Sequence, residues 1–339
     1  MVMPNFLLIG SQSAGTTSVH NYLKQHPQIY VSPIKETNFF VHDGQNPDLV
    51  PYLSADITSV GAYRALFEGA FAHQAIGEAS PLYLVDPHAA ARIRHHIPKA
   101  KLIAILRDPA ERAYTAYWMR VRDGRESRSF DQAVQEELRG GLDESLDFAL
   151  RHYVRWGFYA AHLDVYLGMF DRAQLAIFLF DDLQADPVGF MRELFRFLEV
   201  NDAFVPDTSV RYNASGSARS RLLRPLFRKS ALTKALRRTL PEPLARRAAS
   251  FQEAWRSREL SKPPMPPQLR QILVARYRSD ILALQDLIGR DLSRWLECCR
   301  AHKFEPLCAR RHAPLRAGVR PANPARDTDP EDQDLAGSV

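Results

Sequence analysis

Asn5-Phe6-Leu7-Leu8-Ile9-Gly10-Ser11-Gln12-Ser13-Ala14-Gly15-Thr16-Thr17-Ser18, followed by Val19 to Leu23, sets the fold of this 339-residue chain. Phe6 to Ile9 is an unbroken apolar run, as expected of a parallel strand buried on both faces. Small residues between Gly10 and Gly15 turn the chain, and Val19, Tyr22 and Leu23 then recur at helical spacing. A strand, a glycine-bounded loop and a helix N-terminus bring several backbone N–H groups to one spot, where the helix dipole adds partial positive charge. A phosphate suits such a place, held by Ser13, Ala14, Gly15, Thr16, Thr17 and Ser18. The outline Gly10-x-x-x-x-Gly15 is that of a nucleoside triphosphate P-loop, but Thr16 stands where that motif needs lysine for the β- and γ-phosphates. The stretch reads as a phosphate site for something other than a triphosphate. A tight turn without a ligand is the plainer reading.

Two more apolar runs, Leu102–Leu106 and Leu175–Phe180, read as buried strands, with Ile29–Val31 and the stretch from Ile76 as shorter ones. Helical periodicity follows over Phe130–Leu138, Phe158–Phe170 and Pro267–Trp295, and a further helix is expected near Tyr63–Phe71. Asp86-Pro87, Asp108-Pro109 and Asp186-Pro187 each offer an N-cap with proline at the first helical position. Strand–helix alternation of this kind predicts α/β: a P-loop-like parallel sheet flanked by helices, in a single domain over residues 1–300. Residues 43–60 read as a loop, and residues 301–339, rich in Pro, Arg and Asp, as a disordered tail.

The chain is 45% hydrophobic and 25% charged, enough for an ordinary globular core. It has no apolar run of about eighteen residues, so no membrane span is expected, and its first strand starts too early for a signal peptide. A cytoplasmic protein is expected. Cys298, Cys299 and Cys308 suggest neither a disulfide framework nor a zinc site. The positive charge behind the net +6 is not spread evenly: residues 219–247 hold ten arginines and lysines against Glu242. Such a block suits an anionic partner or peripheral contact with a membrane, or else a solvated helix face. No nucleic-acid-binding signature accompanies it.

In open α/β sheets ligands bind beyond the carboxyl ends of the strands. Both Gly10–Thr17 and Arg107–Asp108 follow strands. Arg107, with Thr115 two helical turns later, offers a fork and a hydroxyl for a second phosphate. Glu36 of Lys35-Glu36-Thr37-Asn38-Phe39-Phe40 is a carboxylate fit to act as a base, on a stretch that reads as a polar strand end or as a surface turn anchored by the two phenylalanines.

Taken together, these stretches resemble the sulfotransferases that use 3′-phosphoadenylyl sulfate (PAPS), and most closely the heparan-sulfate and related bacterial type. Residues 9–18 resemble the family's 5′-phosphosulfate loop, Leu106–Thr115 its 3′-phosphate segment, and Lys35–Phe40 the stretch with its catalytic glutamate. Gly77–Pro81, Gly157–Tyr159, Asp182–Pro187, Ile288–Leu292 and Trp295 match in the same order. The resemblance implies in-line transfer of a sulfuryl group from PAPS to a hydroxyl or amine of a glycan or other small acceptor, without a metal. Glu36 would be the general base, and Arg107 and Thr115 the 3′-phosphate ligands.

The sequence departs from the family in two places. The family's loop lysine two residues before Gly15 is Ser13 here, a loss worth about 10²–10³ in rate in comparable sites. Either Lys35 or a residue of the basic block is the replacement, or the protein is slow or inactive. The family's late glycine-and-lysine loop is not recognisable; Arg219 is the candidate there, with one more solvated arginine as the plainer reading. A nucleotide-binding protein without catalysis and a P-loop kinase are the competing readings; Thr16 argues against the kinase.

Overall fold

The computed structural model describes residues 2–42, 57–140, 152–210, 212, 217–218 and 260–298. Five parallel strands form one sheet in the order β2 (Ile29–Val31), β3 (Ala75–Ala79), β1 (Phe6–Gly10), β4 (Lys101–Leu106) and β5 (Leu175–Leu179). The apolar runs behave as two-faced strands must. Leu7, Ile9, Leu102, Ala104 and Leu106 enter the core on one side, while Phe6, Leu8, Ile103 and Ile105 enter the core on the other. Period-two alternation of side chains thus builds both cores from one continuous run.

Helix α1 (Thr16–Leu23) follows β1, and α2 (Phe39–His42) lies beyond β2. The helix expected near Tyr63 is shorter than the periodicity suggested. It is α3 (Val60–Ala65), capped by Ser59 and followed by a separate 3₁₀ turn at Ala70–Ala72. Helix α4 (Ala89–His96) begins two residues later than Asp86-Pro87 predicts, because Asp86 Oδ1 accepts from the His88 and Ala89 amides and holds a turn ahead of the helix.

The other two Asp-Pro starts are as expected. Asp108 caps α5 (Pro109–Arg122), and Asp186 caps α9 (Pro187–Phe197). Between them lie α6 (Phe130–Leu138), α7 (Tyr159–Leu167) and α8 (Phe180–Ala185). A short antiparallel pair, β6 (Ser217–Ala218) with β7 (Leu260–Ser261), precedes α10 (Pro267–Ile288).

Helices α1 and α9 cover one face through Val19, Tyr22, Leu23, Phe190, Leu194 and Phe195. The other face is covered by α4, α5, α7 and α10, with Ile93, Tyr114, Leu163 and Tyr277 among the buried contacts. One buried ion pair ties the last helix to the site end of the sheet. Arg270 of α10 donates to Asp108 Oδ2 at 2.9 Å, while Asp108 Oδ1 receives the Ala110 and Glu111 amides. Among the described residues no helix is long and apolar enough to cross a membrane. Arg219, the rest of the basic stretch 219–247 and the expected tail 301–339 lie outside the described residues.

Candidate active site

The loop after β1 turns through left-handed backbone at Ser13 (φ 66°) and Gly15 (φ 85°). Gly15 is held to glycine twice over. Besides its φ, a Cβ there would lie 2.8 Å from Leu183 Cδ2 and 3.0 Å from the Phe180 ring. With Gly15 as N-cap, α1 starts at Thr16, and its first amides have no acceptor within the helix. Ser18 is less available than its position suggests, because its Oγ accepts the Tyr212 amide at 3.1 Å. Ser13 Oγ points to Met119 Sδ at 3.4 Å.

On the β4 side, Arg107 reaches back to this loop and donates from one guanidinium nitrogen to the Ser13 carbonyl at 3.0 Å. Its guanidinium also lies 4.7 Å from the centre of the Phe180 ring. Its own carbonyl accepts the Tyr159 hydroxyl at 2.8 Å. Glu111 and Thr115, spaced by four, share one face of α5, and Arg107, just ahead of the helix, brings its other terminal nitrogen to 3.8 Å from Glu111 Oε2.

A residue that sequence reasoning missed completes this cluster. Lys262, directly after β7, donates to Glu111 Oε2 at 3.0 Å and to Thr115 Oγ1 at 3.2 Å. Its ammonium is also 5.0 Å from the centre of the Tyr114 ring. The only hint in sequence is a lone lysine ahead of Pro263-Pro264-Met265-Pro266-Pro267. Burial pushes the Glu111 carboxyl up, but Lys262, with Arg107 and Arg270, outweighs it and holds Glu111 below the usual carboxylate range. For Lys262 burial prevails over the attraction of Glu111, and its pKa is lowered.

On the β2 side, Lys35 Nζ is ion-paired with the Glu36 carboxylate. The Glu36 amide donates to the Ala79 carbonyl at 2.9 Å, which sets this segment at the end of β3. Of the two readings of Lys35–Phe40, the anchored turn is the one found, with Phe39 and Phe40 fully buried. Lys35 is also close to α1. His20 on that helix is held neutral, its pKa lowered to about 2 by burial and then by the ammoniums of Lys24 and Lys35.

The structure therefore brings Ser13–Thr17, Arg107, Thr115, Lys35 and Glu36 to one end of the sheet and adds Lys262. Among the described residues no group of three or more His, Cys, Asp or Glu side chains converges as a metal site would.

The family model for the sulfotransferase family matches residues 4–203. The chain belongs to the sulfotransferase family. A crystal structure of a sulfotransferase from Alicyclobacillus acidocaldarius shares 32% identity and superposes with a TM-score of 0.66, covering 88% of this chain and all of that one. Among curated proteins the chain is 26% identical over 309 residues to a bifunctional heparan sulfate N-deacetylase/N-sulfotransferase 4 of Mus musculus, covering 87% of this chain. It is 26% identical over 247 residues to carbohydrate sulfotransferase 15 of Homo sapiens, covering 58% of this chain. The chain spans 31% and 44% of the lengths of these two curated relatives.

The Glu111 cluster has a stability signature. A carboxyl held below its ordinary value contributes stability that is present above about pH 4.3 and is lost as pH falls through the folded-state value. Glu111→Gln should therefore lower the melting temperature at pH 7. The gap from the wild type should close as pH is lowered below about 4, which thermal scans across pH measure.

Proposed function

We propose that this chain moves a sulfuryl group from 3′-phosphoadenylyl sulfate to a hydroxyl or amine of a carbohydrate or other small acceptor. The observation that carries the proposal is the arrangement around the loop after β1. A cluster of two cations and a hydroxyl, Arg107, Lys262 and Thr115, lies on its β4 side, and the Lys35–Glu36 pair lies toward β2. Such a site offers separate places for two phosphate groups and one for a base. The glycine-bounded loop fits a 5′-phosphate through backbone N–H groups, and the α5 cluster fits a 3′-phosphate. The carbohydrate and heparan sulfate relatives favour a glycan acceptor.

When bound, the co-substrate supplies the sulfuryl group, whose bond to the 5′-phosphate oxygen breaks as the acceptor's bond to sulfur forms. Glu36 takes the acceptor's proton during attack, a role typically worth about 10²–10⁴-fold. The loop amides hold the 5′-phosphate, and the electron pair left on it needs a positive neighbour. The family has a lysine in the loop for that purpose. Ser13 cannot supply the charge, and Lys35, beside Glu36 and close to α1, is the cation assigned to it.

Transfer of labelled sulfate to a panel of glycan, phenol and amine acceptors tests the reading. Glu36→Gln should reduce turnover to less than about a tenth while nucleotide affinity stays within about twofold. Persistent turnover would remove Glu36 as base. If the wild type transfers to no acceptor yet binds adenosine 3′,5′-bisphosphate, the chain is a nucleotide-binding relative without catalysis, as Ser13 alone would suggest. Tighter binding of ATP with magnesium than of the bisphosphate would instead favour a kinase.

Calorimetry tests the 3′-phosphate site. Arg107→Ala and Lys262→Ala should each weaken adenosine 3′,5′-bisphosphate about tenfold or more, as loss of a charge-assisted contact does, and weaken adenosine 5′-phosphate far less. Equal weakening of both nucleotides would withdraw the assignment.

The role of Lys35 is tested by a double-mutant cycle. Lys35→Ala should nearly abolish transfer in the natural background and cost much less in Ser13→Lys, with a coupling of at least about 1 kcal/mol. Additive effects would show that Lys35 is not the replacement.

A further inference from the structure

Glu78 lies on β3, is fully buried, and takes no part in the chemistry assigned above. A carboxylate buried near the carboxyl end of a sheet strand needs a reason, since burial alone drives such a group toward its neutral form. Its surroundings supply one. Oε1 accepts the Tyr83 hydroxyl at 2.6 Å and the Tyr63 hydroxyl at 3.3 Å, and Oε2 accepts the Ser80 hydroxyl at 2.7 Å. Burial raises the Glu78 pKa above its ordinary value, and the hydrogen bonds it accepts, from Tyr83, Ser80 and Tyr63 among others, offset only part of that rise.

The same hydroxyls hold the segment that carries Glu36. Ser80 Oγ accepts the Asn38 amide at 3.0 Å, and the Tyr83 hydroxyl accepts the Phe40 amide at 3.4 Å. Thr37 Oγ1 is 3.1 Å from the Tyr83 oxygen and accepts the Phe39 amide at 3.4 Å. The ring of Tyr63 stacks on Phe39 with centroids 4.4 Å apart. The direction of these bonds matters. A hydroxyl has one proton, so a hydroxyl that donates to Glu78 presents only lone pairs to the loop. Glu78 thereby sets Ser80 and Tyr83 as acceptors toward the loop amides, and Thr37, donating to Tyr83, becomes one for Phe39.

The loop needs this hold. Glu36 and Asn38 both adopt left-handed backbone, at φ 61° and 51°, which non-glycine residues keep only where the surroundings over-determine them.

We propose that Glu78 is a positioning residue for the base: its buried carboxylate orients the hydroxyls of Ser80 and Tyr83, which fix the Thr37–Phe40 backbone and so aim Glu36 at the acceptor. The inference rests on the assignment of Glu36 as base. Glu78→Gln is the sharpest probe, because it keeps shape and volume but brings an amide donor where only acceptance works. One hydroxyl must then turn its proton toward a loop amide.

The experiment compares turnover, adenosine 3′,5′-bisphosphate affinity and melting temperature for Glu78→Gln, Ser80→Ala, Ser80→Thr and Tyr83→Phe. Glu78→Gln should lower kcat about 10- to 100-fold, as misplacement of a catalytic group does, with nucleotide affinity within about twofold. Ser80→Ala and Tyr83→Phe, each removing one link, should lower kcat by less, and Ser80→Thr, which keeps the hydroxyl, should restore most of it. In a Glu36→Gln background, Glu78→Gln should cost little further turnover, since its effect passes through Glu36. If Glu78→Gln does not fold, the two single-link variants and the threonine rescue carry the test.

Wild-type kcat in Glu78→Gln, or in both single-link variants, overturns the proposal. So does an equal loss of nucleotide affinity and turnover, which would make Glu78 a general support of the sheet end. Those results leave Glu36 as base untouched. Turnover retained by Glu36→Gln removes both assignments together.

Discussion

Parallel strands point one way, and this chain's site follows from that constraint. With five strands aligned, every carboxyl end opens on the same end of the sheet, so residues far apart in sequence meet there. The loop after β1 stands near the middle, Arg107 follows the neighbouring β4, and Glu36 follows β2 and bonds to the end of β3. None of these groups is brought together by local sequence. What aligns them is the pairing of buried apolar strands, whose removal from water is the main favourable term of folding. The buried Asp108–Arg270 pair extends the alignment to α10, whose leading segment carries Lys262. Breaking such a pair leaves a buried charge unmatched, so the last helix and the first turn of α5 are set in place together.

The charges at that end of the sheet are balanced within the protein. Lys262 faces Glu111, and Lys35 faces Glu36. Isolated cations in partly buried positions are costly, and each carboxylate offsets that cost. On α5 the balance also bears on binding. Glu111 lies 3.8 Å from Arg107 and shares Lys262 with Thr115, so an anion spanning Arg107 and Thr115 would approach a carboxylate as well as two cations. A ligand of more than one negative charge would outweigh Glu111 there where a weaker anion would not.

Much of this was legible in sequence, for reasons that can be given residue by residue. The strands stood out because burial on both faces demands unbroken apolar runs, and Phe6–Ile9 and Leu102–Leu106 supply them. Asp108 and Asp186 were legible as caps because proline follows each; Asp86-Pro87 carries the same signal, but there the aspartate holds a turn and the helix starts later. Lys262 was not legible. It acts alone at the end of a two-residue strand, and its partners lie about 150 positions upstream. The Glu78 network was hidden for a different reason. A single glutamate in a short strand looks like a surface residue, and only the tertiary positions of Tyr63, Ser80 and Tyr83 reveal what it receives.

The loop and the α5 cluster are not independent, and the guanidinium of Arg107 is the reason. Arginine carries five N–H donors in a rigid planar fork. Here one terminal nitrogen is committed to the Ser13 carbonyl, while the other faces Glu111 at 3.8 Å. One side chain can thus brace a left-handed residue of the loop and still present a donor toward the face shared with Thr115. A lysine at this position, with a single ammonium on a flexible stem, could satisfy one side or the other but could not hold the angle between them. The shape of the loop around Ser13 and the charge offered ahead of α5 therefore depend on one planar group, packed against the Phe180 ring that also crowds Gly15.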